Sequence, residues 1–169
     1  MKLGSYVCLS GFAAALCAMP FDPAGAGENT IPLSYGHTGS WFEPATAGQG
    51  FLIEVVPDSQ TLVVSWFTYA GDQQSPAVPA GSSEPRWYFA QGNYAAGDHE
   101  VEVAILHPRG GRLAVSGAAE FPVVGSALLS FQSCDQGLLR YQFDDTGLSG
   151  EIALTRLFAD GICAQFLDP

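Results

Sequence analysis

The stretch Gln49-Gly50-Phe51-Leu52-Ile53-Glu54-Val55-Val56, the turn Pro57-Asp58-Ser59-Gln60 and the run Thr61-Leu62-Val63-Val64-Ser65-Trp66-Phe67-Thr68-Tyr69 decide the fold. In a strand successive side chains point to opposite faces, so a period of two marks one. Phe51, Ile53 and Val55 share one face of the first run. In the second, Leu62, Val64 and Trp66 face one way and Val63, Phe67 and Tyr69 the other. Pro, Asp and Ser between two such runs supply turn chemistry. The pair reads as a β-hairpin.

The same pattern recurs along the chain. A third strand is expected from Arg86 to about Gln91, a fourth from Glu100 to His107, and a fifth from Arg112 to Gly117 after the turn His107-Pro108-Arg109-Gly110-Gly111. The sixth is expected over Gly125 to Ser133, the seventh over Leu138 to Asp144 and the eighth over Gly150 to Leu157. Asp135-Gln136-Gly137 and Asp144-Asp145-Thr146-Gly147 are the intervening turns. No long amphipathic helix is legible. The expected fold is therefore all-β: an eight-stranded antiparallel up-and-down barrel, or a barrel-like sandwich. The longest connection, Ala70 to Pro85, is rich in Gly, Pro, Ser and Gln and is a candidate rim element. Several strands are apolar on both faces, since Trp66 and Phe67 must point oppositely, as must Trp87 and Tyr88. A barrel hides one face only, so the other calls for a covering loop, a second sheet, a subunit or a ligand.

Before this domain, Met1 to Ala26 reads as a secretory signal. Lys2 precedes an apolar run from about Tyr6 to Met19, and Pro20 and the small-x-small site Ala24-Gly25-Ala26 follow. Lipidation at Cys17 is disfavoured by the bulky Leu16 before it. Cleavage at Ala26 removes 26 of the 169 residues and leaves 143, enough for one core. The expected organisation is a signal over 1–26, a leader over 27–38 with no strong pattern, and a single β domain over 39–169. Without the signal the chain keeps 5 Arg, no Lys and 16 acids, a net charge of -11. Nucleic-acid phosphate needs a basic stripe, and so does an anionic membrane surface. No nucleic acid and no membrane insertion are expected. The acids fall mainly in turns and on solvent faces, where they serve solubility.

Two cysteines follow the signal, Cys134 and Cys163. In an oxidising compartment an even pair reads as a disulfide, here one that pins the C-terminal tail to the Cys134 turn. The expected location is secreted or periplasmic.

Candidates for chemistry are few. His37, His99 and His107 are scattered, with no metal-ligand spacing, and each reads as a surface-loop or strand-end residue. No Gly-x-Ser-x-Gly elbow is present. Glu100 and Glu102 alternate with Val101 and Val103 and read as the solvent side of a strand. Asp144-Asp145 lacks the dense oxygen cluster of a calcium loop. No catalytic residue, metal or cofactor is expected. Aromatic residues are concentrated in the first half instead, and such rings bind glycans or apolar small molecules. The candidate ligand-binding residues are Trp41, Trp66, Tyr69, Trp87 and Tyr88.

Gly39-Ser40-Trp41-Phe42-Glu43-Pro44, then Gly48-Gln49-Gly50, Trp66-Phe67-Thr68-Tyr69, Trp87-Tyr88, Gly125 to Phe131, Tyr141 to Phe143 and Thr155-Arg156-Leu157 together form an ordered pattern. It resembles a module of about 130 residues, an ordinary domain size, found in secreted proteins of proteobacteria. The resemblance covers Gly39 to Leu157 and implies architecture and compartment, not activity. The chain departs from it at Gln49, where an aromatic is common, and in its longer Ala70 to Pro85 connection. A looser resemblance is to calycins such as lipocalins and avidins, which open with Gly-x-Trp and carry an Arg on the last strand across the Trp face. By that likeness Gly39-x-Trp41 opens the sheet, and Trp41 and Arg156 form a barrel-closing cation–π pair of about 0.5–2 kcal/mol.

The leading expectation is a secreted, non-catalytic binding or interaction module for a glycan or small apolar ligand. The alternative is an oligomerising structural or envelope-associated protein, with a homo-oligomer as partner. An enzyme comes third.

Overall fold

The computed structural model describes residues 29–46, 48–69, 85–117 and 119–167. The signal segment and residues 70–84 of the long connection lie outside the described residues. A 3-10 turn, Tyr35–His37, precedes eight strands: β1 Gly39–Phe42, β2 Gly50–Val56, β3 Thr61–Tyr69, β4 Pro85–Asn93, β5 Glu100–Leu106, β6 Val123–Phe131, β7 Gln136–Phe143 and β8 Ser149–Arg156. A short helix, α1 Ile162–Leu167, follows.

Each strand pairs antiparallel with the next, and β8 returns to β1 through Trp41↔Arg156 and Phe42↔Thr155. The protein is an eight-stranded closed antiparallel β-barrel. Closure satisfies the backbone donors and acceptors that an open sheet leaves along its edges.

The alternation that defines the hairpin also fills the barrel. Phe51, Ile53 and Val55 of β2 and Leu62, Val64 and Trp66 of β3 are buried inside. They meet Val101, Val103 and Ile105 of β5, Leu129 and Phe131 of β6, and Ile152 and Leu154 of β8. Phe67 and Trp87, which are register partners across β3 and β4, remain about half exposed on the outer wall with Leu52.

One expected strand is absent and another takes its place. Arg112 to Gly117 is not a strand: a single bridge joins Arg112 to Val115, Ala114 has a φ of 57°, and Leu113 is 98% exposed. A residue in the left-handed region turns the chain back on itself, and among the described residues no strand pairs with this segment. The true first strand, β1, has only four residues, too few to display a period.

The domain takes in the leader as well. Ile31 bridges Phe131, Leu33 is buried, and the 3-10 turn packs against α1. That packing has a strict steric condition at Gly36, where a Cβ would lie 2.3 Å from the Cys163 Cα. Cys163 is bonded to Cys134, with 5.6 Å between their Cα atoms. Closing a loop of 29 residues removes unfolded-state freedom equivalent to about 3–4 kcal/mol.

Candidate functional site

The two ends of the barrel are built differently. At one end β1, β3, β5 and β7 begin, and the 3-10 turn, α1 and the disulfide cover the opening. At the other end those strands finish. A cleft of about 360 Å³ opens there.

The covered end is organised by Arg156. Its Nη1 donates to the Gly36 carbonyl at 2.6 Å and the Cys134 carbonyl at 3.4 Å, and its Nη2 donates to the Thr38 carbonyl at 2.9 Å. Nη2 also pairs with Asp160 at 2.7 Å, and Nε donates to the Phe158 carbonyl at 3.1 Å. The guanidinium carbon sits 5.7 Å from the centre of the Trp41 ring, within cation–π reach. One cation thus ties together the entry to β1, the β6–β7 turn and the chain after β8.

Trp41 is 1% exposed, and its Nε1 donates to the His37 carbonyl at 3.0 Å. It does not line the cleft: β1 carries it to the covered end, where its ring packs on Phe131 with 5.1 Å between centres.

His37 corrects the expectation of a surface histidine. It is fully buried, stacked on Phe131 at 4.2 Å between ring centres. Its Nδ1 lies 3.1 Å from the Ser34 N–H nitrogen and 3.2 Å from the Ser34 carbonyl oxygen, and its Nε2 lies 3.7 Å from the Cys163 sulfur. Burial lowers its pKa to about 4; the Ser34 backbone opposes this and the Arg156 charge adds to it.

The cleft end has an aromatic floor. Trp66 stacks on Phe51 beneath it at 5.4 Å and touches Tyr88, Tyr141 and Phe143 at 5.6, 5.3 and 6.0 Å between ring centres. These rings come from β3, β4 and β7, so the barrel register alone brings them together. Tyr141 lies over Gly150, where a Cβ would be 2.8 Å from the phenol oxygen.

A polar rim stands on this floor. Gln49 Oε1 accepts from Trp66 Nε1 and from Thr68 Oγ1, both at 3.3 Å. Gln49 Nε2 donates to Glu43 at 3.1 Å and also meets Thr46, whose hydroxyl donates to Glu43. Glu151 and Tyr69 complete the wall. Burial and, after it, the Glu43 charge raise the Tyr141 pKa, which keeps the phenol protonated.

A second, smaller opening of about 240 Å³ shares Tyr88 and Phe143 with the first and is lined by Arg86, His107, Arg109 and Asp145. The His107 pKa is lowered by burial and then by the two arginines, with Asp145 opposing. Among the described residues no three His, Cys, Asp or Glu side chains converge to hold a metal ion.

Of the five ring residues expected to bind ligand, the structure brings together Trp66, Tyr69 and Tyr88. Trp87 is on the outer wall, because it alternates with the inward Tyr88. Glu43, Gln49, Tyr141, Phe143 and Glu151 were not expected at the site. Gln49 carried a signal, as the polar residue standing where the resembling module has an aromatic. Arg140 was also missed: it is 7% exposed and pairs with Glu100 at 2.7 Å, so Glu100 is not simply a solvent-facing acid.

Fold and site together define a small closed β-barrel with one end plugged and an aromatic-floored cleft at the other. No protein-family model matches the chain, and no curated protein matches it.

Proposed function

We propose that this protein is an exported, non-catalytic binding module whose small-molecule or glycan ligand sits in the cleft on Trp66, Tyr88, Tyr141 and Phe143. The observation that carries this reading is the pairing of an aromatic floor with a hydrogen-bonded rim in a cleft of about 360 Å³, a size ordinary for ligand sites. Export rests on the signal-like segment 1–26 and is supported by the Cys134–Cys163 bridge, which suits an oxidising compartment. The Trp41–Arg156 contact supports the likeness to calycin barrels, and likeness of fold alone assigns no ligand.

Fluorescence titration of the mature protein with panels of glycans, apolar compounds and small organic ions tests the reading. A binder should quench the wild type, and Trp66→Phe should remove that quench. A panel in which no compound quenches would overturn it.

A second reading, self-association, is favoured by the exposed Phe67, Trp87 and Leu52 on the outer wall. Light scattering decides it: a monomer at high concentration ends it.

A further inference from the structure

We propose that the ligand of the cleft is a small organic cation, a quaternary or protonated amine; this rests on the cleft being the binding site. The argument begins with which hydrogen-bonding groups are already engaged. Trp66 N–H and the Thr68 hydroxyl both donate to Gln49 Oε1. The Gln49 amide and the Thr46 hydroxyl both donate to Glu43. The rim therefore turns four of its donors on its own acceptors. What it presents to the cleft is carboxylate, ring face and phenol hydroxyl.

Charge points the same way. Among the described residues that line the cleft are two acids and no arginine, lysine or histidine: Glu43 stands at the rim, and Glu151, which alternates with the inward Ile152, stands at its outer edge. Of the cationic groups nearby, Arg86, Arg109 and His107 border the smaller opening on the other side of Tyr88 and Phe143, and Arg140, across from Glu151, is paired with Glu100 on the outer wall. A cation entering this end is drawn to the Glu43 and Glu151 side, and an anion is repelled from it.

The floor suits such a guest. Four rings, Trp66, Tyr88, Tyr141 and Phe143, lie within 6.0 Å of one another along the contacts that join them. Clustered ring faces attract a cation through their quadrupoles, most strongly a quaternary ammonium whose methyl groups also bury apolar surface. The Glu43 carboxylate at the rim, with Glu151 at the outer edge, adds a charge term that a neutral guest of equal shape lacks. A sugar needs donors as well as acceptors to satisfy its hydroxyls. Beyond the four engaged donors, the wall offers phenol hydroxyls, which a quaternary cation does not need.

The discriminating experiment compares choline with its neutral isostere 3,3-dimethylbutan-1-ol on the mature, disulfide-intact protein. Binding is read by calorimetry and by the indole N–H resonances of the three tryptophans. Choline is expected to bind on the order of ten-fold more tightly than the isostere and to move the Trp66 resonance. The double variant Glu43→Gln, Glu151→Gln should reduce that preference to near parity, with an unshifted Trp41 resonance reporting an intact barrel. Equal binding of both probes at Trp66, or preference for the isostere or for neutral sugars, overturns the cation assignment and leaves the cleft as the site. A Trp66 resonance that no probe moves overturns both.

Discussion

The two ends of this barrel each hold a buried tryptophan whose indole N–H is hydrogen-bonded, and they use it for opposite purposes. Trp41 donates to the backbone carbonyl of His37 and lies beneath Arg156, whose nitrogens are all committed to carbonyls or to Asp160. The polar groups of these two side chains are thus all engaged within the protein. Trp66 donates to a side chain, Gln49, which is itself held by neighbouring side chains, and beside its ring space remains. Polar groups anchored to backbone close an end of the barrel. Polar groups anchored to one another around a space make a site.

The largest test of this contrast is Arg156→Ala. It uncovers the Trp41 ring and orphans the Gly36 and Thr38 carbonyls, and should cost about 3–4 kcal/mol in urea denaturation. Arg156→Lys keeps the charge without the fork and should recover only part of the loss. If Arg156→Ala were as stable as wild type, the plug would not depend on this cation.

Acid comes next. His37 has its pKa lowered from an ordinary 6.5 to about 4 by burial, so the unfolded chain binds the extra proton. The stability this contributes is whole above pH 6.5 and is lost as pH falls through about 4, a total of about 3 kcal/mol. His37→Phe should flatten that limb of the stability profile, and an unchanged slope would contradict the assignment.

The smallest effect on stability is expected at the other end. Gln49→Ala should cost about 1 kcal/mol, because the groups it releases lie near water. The same change should weaken ligand binding by on the order of ten-fold. The covered end thus shows its substitutions in stability, and the cleft end shows them in affinity.

Much of the barrel was legible because alternation is local. Leu62, Val64 and Trp66 declare their face within one run, and so do Val101, Val103 and Ile105. The errors occurred where a local signal was short or unsupported. β1 has four residues and no visible period, whereas Arg112 to Gly117 alternates yet finds no partner in register. The disulfide was legible from cysteine count, and the Trp41–Arg156 contact from a resemblance. The cleft was not, because the Glu43–Gln49 segment, Trp66 and the Tyr141–Glu151 segment lie far apart in the chain and meet only through barrel closure. Alternation tells which residues point inward. It does not tell which end of the barrel they reach, and that difference separates the plugged Trp41 from the cleft-lining Trp66. His37 was misread for a related cause: its burial is imposed by Phe131 and α1, far away in sequence.

The central claim is that one end binds and the other holds, and a single titration followed on all three indole N–H resonances tests it most directly. With any compound that binds, Trp66 is expected to shift while Trp41 remains fixed and Trp87, on the outer wall, is unaffected. A binder that shifts Trp41 or Trp87 and leaves Trp66 unmoved would contradict it.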